Sequence, residues 1–540
     1  MRYLFCSLLF AIASVLHAQS PEEIVQKVGS SFQKRSTFEL TEKPLGHVQQ
    51  GILIMRPTRL DAIDLETIIT INEMGGRYVN MAANPGRIKV WRDDEVIFDG
   101  RSKTIGVPQA LDAGVFRAEF RHLLPPFRGD YQIRVEYYPE GESSTVFLWL
   151  TDERGNMMHD RDFRSDWDFM ETHLYRFKSR TSTDELDWQF PTEITGLQYD
   201  SENGMNDWQY ANGMMLDAMW LASEHFTSID YKKFVEKHLE FFVENFDRVV
   251  REKESSGVIE SPFNRYFRYQ QVDDFGAQTV PFLNLPESET SKKFTSKGLN
   301  KLLYRALRLS DGSYARLTPD SLSVWSEDLY MSTVLLCRAY AKNGSQKYLQ
   351  EAIKQTILFN KHLKDRNSRV YVHGFFAENV EQSASKWARS NGLVIMANVE
   401  LLRVMSENHP ERESILRIYR SHASSLRDFQ SLDGRWHQVL DNDTTYLETS
   451  GSAMIVAAFA EGLQNNWLFN KAEFRQSTIK GWVAITEQID DEGNVSGVSP
   501  DTSILYSDEE YENLQPIVNH PAALGAILYA AMAIDKLDSE

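Results

Sequence analysis

The chain has 540 residues, with 58 lysines and arginines against 77 aspartates and glutamates, for a formal net charge of −19. That balance excludes nucleic acid as a partner, because a phosphate backbone needs a basic face. The length is too great for one ordinary domain, and a content of 42% hydrophobic and 12% aromatic residues is enough for a large core. The first residues, MRYLFCSLLFAIASVLHAQS, set Arg2 before an apolar run that ends near Ala18. This reads as a secretory signal peptide over residues 1–18, cleaved near Ala18, and predicts a periplasmic or secreted protein. The run is shorter than the ~20 residues needed to span a bilayer, and no later segment is long and apolar enough, so no membrane insertion is expected. Removal of Cys6 leaves Cys337 alone, which excludes an intrachain disulfide. Cys337 lies in an apolar helical stretch and reads as a small buried hydrophobe.

Residues 19–195 contain short runs of period two: RIKVW, EVIFDG, YQIRVEYY and STVFLWLTDERGN. They are punctuated by NPGR, RDDE and YPEGES. These predict an antiparallel β-sandwich with a linker and a supporting role. From about residue 205 the period becomes helical. In YKKFVEKHLEFFVENFDRVV, Phe234, Val235, Leu239, Phe242 and Phe246 share one face. About eleven such segments follow one another, alternating between helices apolar nearly all round and amphipathic ones. The apolar members begin around Gly213, Asp274, Asp328, Asn391, Ser450 and Pro521. Six helical hairpins in series, with no polar capping repeat at either end, predict an all-α (α/α)6 toroid over residues 196–540, preceded by the β-sandwich domain.

In such a toroid the starts of the inner helices lie on one rim. Six loops therefore converge there: NDWQYANG, YQQVDDFG, SVWSEDLY, SKWARSNG, TTYLETSG and PIVNHPAALG. They bring acids and aromatics to one cup, together with His373 from VYVHGFF. Helix N-termini favour anions at such positions. There is no His/Cys cluster of metal-ligand spacing, no phosphate loop and no G-x-S-x-G elbow, so no metal or cofactor is expected. Carboxylates among aromatics suit a sugar, because rings stack on pyranose faces and carboxyls transfer protons. Asp274 and Asp328 directly precede inner helices and are read as the catalytic pair; Asp273 and Glu327 are read equally as helix caps. Trp208, Tyr210, Trp325, His373, Trp387, Arg389, Asn391, Tyr446 and His520 complete the cup as substrate-binding candidates. Arg389 is read as a carboxylate clamp, and Glu448 as the holder of a loop.

The motifs WSEDLYMS, VHGFF followed by WARSNG, and DGRWHQVLDNDTTYLETSGSAM resemble the unsaturated uronyl hydrolases of glycoside hydrolase families 105 and 88, with 105 the nearer. The likeness covers roughly 205–537 and includes WQYANGMMLDAM and QVDDFGA. The strand-rich part lies outside it. WARSNGL stands where the family often has W-G-R-G-N-G-W, and NHPAALG where it has N-D-P-H-G. The resemblance implies the same toroid and an anionic oligosaccharide substrate with a terminal Δ4,5-unsaturated uronic acid. It also implies release by hydration of a vinyl ether. It makes Asp328 the general acid and the base for the water, and Asp274 the acidic residue that holds the uronyl ring. His373, Trp387 and Arg389 match residues lining the subsite. Two alternatives stand beside it: an exo-glucuronidase of the same fold acting on saturated uronides, and a non-catalytic periplasmic glycan-binding protein.

Overall fold

The computed structural model describes residues 19–36, the strands between 40 and 199, and residues 205–256, 262–286, 288–317 and 322–539. The expected signal peptide, residues 1–18, lies outside the described residues. The chain divides into two units. One comprises Met1–Glu39, Ser201–Glu244 and Arg265–Glu540; the other comprises Leu40–Asp200 and Asn245–Asn264.

The first unit is built of helices. They are α1 (Pro21–Arg35), α2 (Tyr210–His225), α3 (Lys232–Ser256), which belongs to this unit only as far as Glu244, α4 (Asn264–Arg268), α5 (Pro281–Asn284), α6 (Glu289–Asn300) and α7 (Asp328–Asn343). They continue with α8 (Gln346–Leu363), α9 (Ala388–Val404), α10 (Arg412–Asp428), α11 (Thr449–Gln464), α12 (Lys471–Thr486), α13 (Asp508–Glu512) and α14 (Pro521–Asp538). Among the described residues, α2, the segment ending in α5, α7, α9, α11 and α14 pack side by side in that order, and α14 returns to α2. This closed inner ring makes the unit an (α/α)6 toroid. Its members are apolar on nearly every side; in α14 each residue from Pro521 to Ile534 is buried. Small residues let the backbones close on one another. A Cβ on Gly213 would come within 2.2 Å of the Gln278 Cα, and one on Gly451 within 2.7 Å of the Ala388 backbone.

The second inner member is the shortest. Val272–Asp274 and Ala277–Thr279 are single 3-10 turns, and Pro281 opens the one-turn α5. The outer layer holds a departure from the sequence reading. The segment 19–36, placed there in the strand-rich part, forms α1 and packs on α14 as its outer partner. Ser20 caps α1, accepting from the Glu23 amide at 3.3 Å while Glu23 reaches back to the Ser20 amide at 2.9 Å, and Pro21 occupies the first turn. Ile24, Val25, Val28 and Phe32 form its buried stripe.

A polar belt crosses the lower half of the ring. Arg338 of α7 bonds Glu400 of α9 at 2.9 Å and lies 3.3 Å from Asp217 of α2. Arg403 of α9 bonds Glu400 and Glu461 of α11, each at 2.6 Å. Tyr529 of α14 and Asn284 of α5 donate to Asp217 at 2.7 and 3.1 Å. Every inner member thus contributes a side chain below the rim; in the long inner helices Asp217, Arg338, Glu400, Glu461 and Tyr529 lie on the order of 10–18 Å from the helix start at 1.5 Å per residue.

In the second unit the strands are antiparallel. Trp188–Gln189, Gln50–Met55, Phe116–Arg121, Arg87–Arg92 and Glu95–Arg101 form a five-stranded sheet in that order. Thr67–Ile71, Tyr131–Glu140 and Ser143–Asp152 form a three-stranded one.

Candidate active site

The starts of three inner helices meet around one residue that the sequence reading did not single out, Asp501. Tyr210, the first residue of α2, donates to its Oδ1 at 2.9 Å. Arg389, in the first turn of α9, donates to the same oxygen at 3.0 Å. His520, the N-cap of α14, sits 3.2 Å from Oδ2. The Asp501 side chain keeps 41% of its surface exposed. Its loop is pinned by Glu448, the N-cap of α11, whose carboxylate accepts from the Ser450 amide at 2.8 Å and the Ser499 amide at 3.0 Å. Glu448 therefore does hold a loop. Burial raises the Asp501 pKa, but His520, Arg389 and Arg265 outweigh it and hold the carboxyl well below its ordinary value.

The opposite wall carries the acidic doublets. A small sheet places them: Ser323–Trp325 pairs with Gly374–Phe376, so Trp325 lies opposite Gly374 and the Ser326 amide bonds the His373 carbonyl at 3.0 Å. This register brings His373 Nε2 to 3.2 Å from Glu327, while its Nδ1 contacts the Tyr511 hydroxyl. Asp328 begins α7 and is 1% exposed. Arg316 grips both its oxygens, at 2.8 and 2.6 Å, and stacks 4.1 Å over the Trp325 ring. The same guanidinium reaches Asp273 at 3.8 Å. Burial raises the Asp328 pKa to about 6; Arg316 opposes it, and the charges of Asp273 and Glu327 add to it. Burial likewise works to raise Glu327, but His373 and Arg316 bring it below its ordinary value. The walls sense each other: the Glu327 charge acts on Tyr210, and the Asp501 charge on Asp273. The rim residues thus belong to one cup.

Several candidates take different places from those expected. The carboxylate of Asp274 is fully buried, accepts from the amides of Gln270 and Gln271 at 2.8 and 3.0 Å, and is gripped by Arg268. It fixes a turn. Asp273, read as a possible cap, is the doublet member that joins Asp328 through Arg316; burial works to raise its pKa, and Arg316, Arg265 and Arg268 together lower it. Glu327 occupies the N-cap position without a capping bond from its side chain. Trp208 packs among Phe242, Tyr266, Phe282 and Phe294, with its indole N–H on the Asp274 carbonyl at 2.7 Å, so it supports the rim from behind. Asn391 is buried, and its amide bridges the Tyr371 backbone at 2.8 and 2.7 Å. Arg389 is fully buried with Nε on Ser450 at 2.9 Å and its other nitrogens on Asp501 and the Ser499 carbonyl. The carboxylate that it clamps is the chain's own.

Trp325 and Trp387 are buried, and Trp387 packs on His373 with its N–H on Ser499 at 3.1 Å. Tyr446 is half-buried beside Glu448 and Ser499. Cys337 is buried, as expected. Asp501, Arg265, Arg316 and Tyr511 escaped the sequence reading because none opens an inner helix. The available signal for Asp501 was an acid in the Ser/Pro loop VSPDTS between α12 and α14, on the same rim by topology. Tyr506, beyond Asp501 in the same stretch and 57% exposed, stacks on Phe376 with ring centres 6.1 Å apart. Among the described residues no group of three His, Cys, Asp or Glu is arranged to hold a metal ion, and no helix is long and apolar enough to cross a membrane.

A closed ring of paired helices whose rim gathers carboxylates, arginines and aromatics defines a class, the six-hairpin toroids with a polar cup. Within it the chain belongs to Glycosyl Hydrolase Family 88, whose model matches residues 183–537. The unsaturated rhamnogalacturonyl hydrolase YesR of Bacillus subtilis (strain 168) is 26% identical over 193 residues, 35% of this chain and 53% of that protein. An unsaturated 3S-rhamnoglycuronyl hydrolase of Alteromonas sp. (strain LOR) is 29% identical over 191 residues, 33% of this chain and 45% of that protein. The chain spans about half the length of these curated relatives. Among solved structures, a possible member of the GH105 family from Salmonella enterica subsp. enterica serovar Paratyphi A str. ATCC 9150 superposes with a TM-score of 0.52 at 17% identity, over 63% of this chain and 86% of that one. The family 105 glycoside hydrolase of C. acetobutylicum ATCC 824 superposes with a TM-score of 0.51 at 21% identity, over 62% and 95%. These likenesses agree with the toroid seen here.

Proposed function

We propose that the chain is a glycoside hydrolase that releases a terminal Δ4,5-unsaturated uronic acid from lyase-generated oligosaccharides by hydrating the vinyl ether. The observation that carries the reading is Asp328: buried, shared with Asp273 through Arg316, and raised to about 6, it is an acid able to hold a proton near neutral pH. In the reaction Asp328 gives its proton to C4, and oxocarbenium character builds at C5. The resulting carboxylate takes a proton from water as the water oxygen bonds C5. The hemiketal then opens and releases the neighbouring sugar. The role first given to Asp274 falls to Asp273, since Asp274 is held by Arg268 and two amides. Family membership and the two curated hydrolases support the substrate class. The test is incubation with a panel of polysaccharide-lyase digests, followed by the ultraviolet absorbance of the conjugated double bond. Loss of absorbance in the wild type and none in Asp328→Asn is expected; persistent absorbance with every digest would refute the reading.

One observation favours a second reading. Asp501 is held anionic across the cup from a carboxyl raised toward protonation, the division of labour that ordinary two-carboxylate hydrolysis needs. Turnover confined to saturated uronides would select that exo-glucuronidase. We also propose that residues 1–18 are a signal peptide cleaved near Ala18 for work in the periplasm or outside the cell, which N-terminal sequencing of the mature protein checks. The strands between 40 and 199 are proposed to form a supporting β-sandwich.

A further inference from the structure

Among the described residues the cup holds four arginines, and they are not equivalent. Arg389 is enclosed by Ser450, Ser499 and Asp501. Arg316 is 5% exposed and forks onto both oxygens of Asp328. Arg268 is bound to Asp274 and to Gln271 at 3.0 Å. Arg265, on α4, keeps 33% of its side-chain surface exposed and meets Asp273 at 3.4 Å. A guanidinium carries five N–H donors in a fork that matches a carboxylate. Arg265 is therefore the cation of this group with donors left for a ligand. Its charge acts on both Asp273 and Asp501.

We infer that Arg265 receives the carboxylate of the substrate's terminal uronic acid. Asp501, by filling the donor set of Tyr210, Arg389 and His520, reserves that side of the cup for sugar hydroxyls. The assignment rests on the proposed activity and deepens it. In a Δ4,5-unsaturated uronide the carboxylate is carried by C5, and the proton must arrive at C4, the neighbouring carbon. A reader of the carboxylate must therefore stand beside the acid. Arg265 is joined to the acid by three successive contacts: 3.4 Å to Asp273, 3.8 Å from there to Arg316, and 2.6 Å on to Asp328. Arg389 is committed to Asp501.

The experiment compares an unsaturated uronyl disaccharide as the free acid with its methyl ester, in the wild type, Arg265→Gln and Arg265→Lys. Arg265→Gln is expected to raise KM for the acid on the order of 10- to 100-fold, the scale of a charge-assisted pair, with kcat nearly unchanged. KM for the ester should stay where it was, so that discrimination between the two collapses, and Arg265→Lys should recover part of it. Arg265 is partly exposed, and unchanged melting curves are expected to exclude misfolding. Retention of the wild-type preference for the acid in Arg265→Gln would overturn the assignment. Should the wild type turn over neither substrate, the proposed activity fails, and calorimetric binding of glucuronate against its methyl ester decides Arg265 by the same criterion: lost selectivity supports the assignment, retained selectivity overturns it.

Discussion

The rim and the lower belt of the toroid are made from the same two chemical groups, carboxylates and guanidinium ions, and they use them in opposite ways. In the belt, Glu400 is gripped by two arginines, Arg338 and Arg403, and burial is outweighed so that its pKa falls below the ordinary value. On the rim, Asp328 has one arginine, and that arginine also faces Asp273. Burial and the neighbouring anions then win, and the carboxyl rises to about 6. Two cations on one buried acid make a structural anion. One cation on a buried acid that has other anions beside it leaves a proton donor. The belt therefore reads as cohesion and the rim as chemistry, and each region supplies a way to break that division.

The largest effect is expected at the rim. Asp328→Asn should lower kcat of the folded protein by about 10²- to 10⁴-fold, the range that proton transfer contributes. The belt should answer inversely. Arg338→Met leaves Asp217 and Glu400 buried with fewer partners and should cost about 3–5 kcal/mol of stability in a denaturant titration, while kcat of the folded enzyme stays near wild type. A large fall in kcat with stability intact would abolish the distinction.

The pH dependences should also separate. In the proposed reaction Asp328 acts in its protonated form, so kcat/KM should fall as pH rises through about 6, approaching tenfold per unit. Glu400 has a folded pKa below its ordinary 4.5. Its stabilisation is present above that ordinary value and is lost as pH falls through the lower folded one. Glu400→Gln should accordingly flatten the acid limb of the stability curve and leave the activity profile in place. The smallest effect is expected for Tyr210→Phe, which removes the 2.9 Å bond to Asp501. A KM change of a few fold, about 1 kcal/mol or less, is expected.

Much of the ring was legible from the chain. The apolar helices reveal themselves because burial on all sides demands local composition, and the amphipathic ones because one wet face demands a 3.6-residue period. The loops before them placed Tyr210, Asp328, His373 and His520 in one cup. The helix Pro21–Arg35 was not legible as the outer partner of α14, because strand-rich sequence separates it from the rest of the toroid and its stripe does not say what covers it. Nor were Asn391, Trp208 and Arg389 legible as supporting residues, since an amide, an indole or a guanidinium looks the same in sequence whether it faces a sugar or a backbone carbonyl.

By itself, then, the amino-acid sequence determined the alternation of helices, the rim and the family to which the chain belongs, because those follow from local hydrophobicity and short motifs. Only the tertiary structure decided which carboxylate of each doublet faces which arginine. Adjacent residues of one turn point in different directions, so Asp274 turns back to Arg268 and two amides while Asp273 turns to Arg316. The partners that set the charge of Asp328, Asp273 and Asp501 include residues far off in the chain, Asp273, Arg316 and Arg389 respectively, and their separation in space is settled by the packing of the ring.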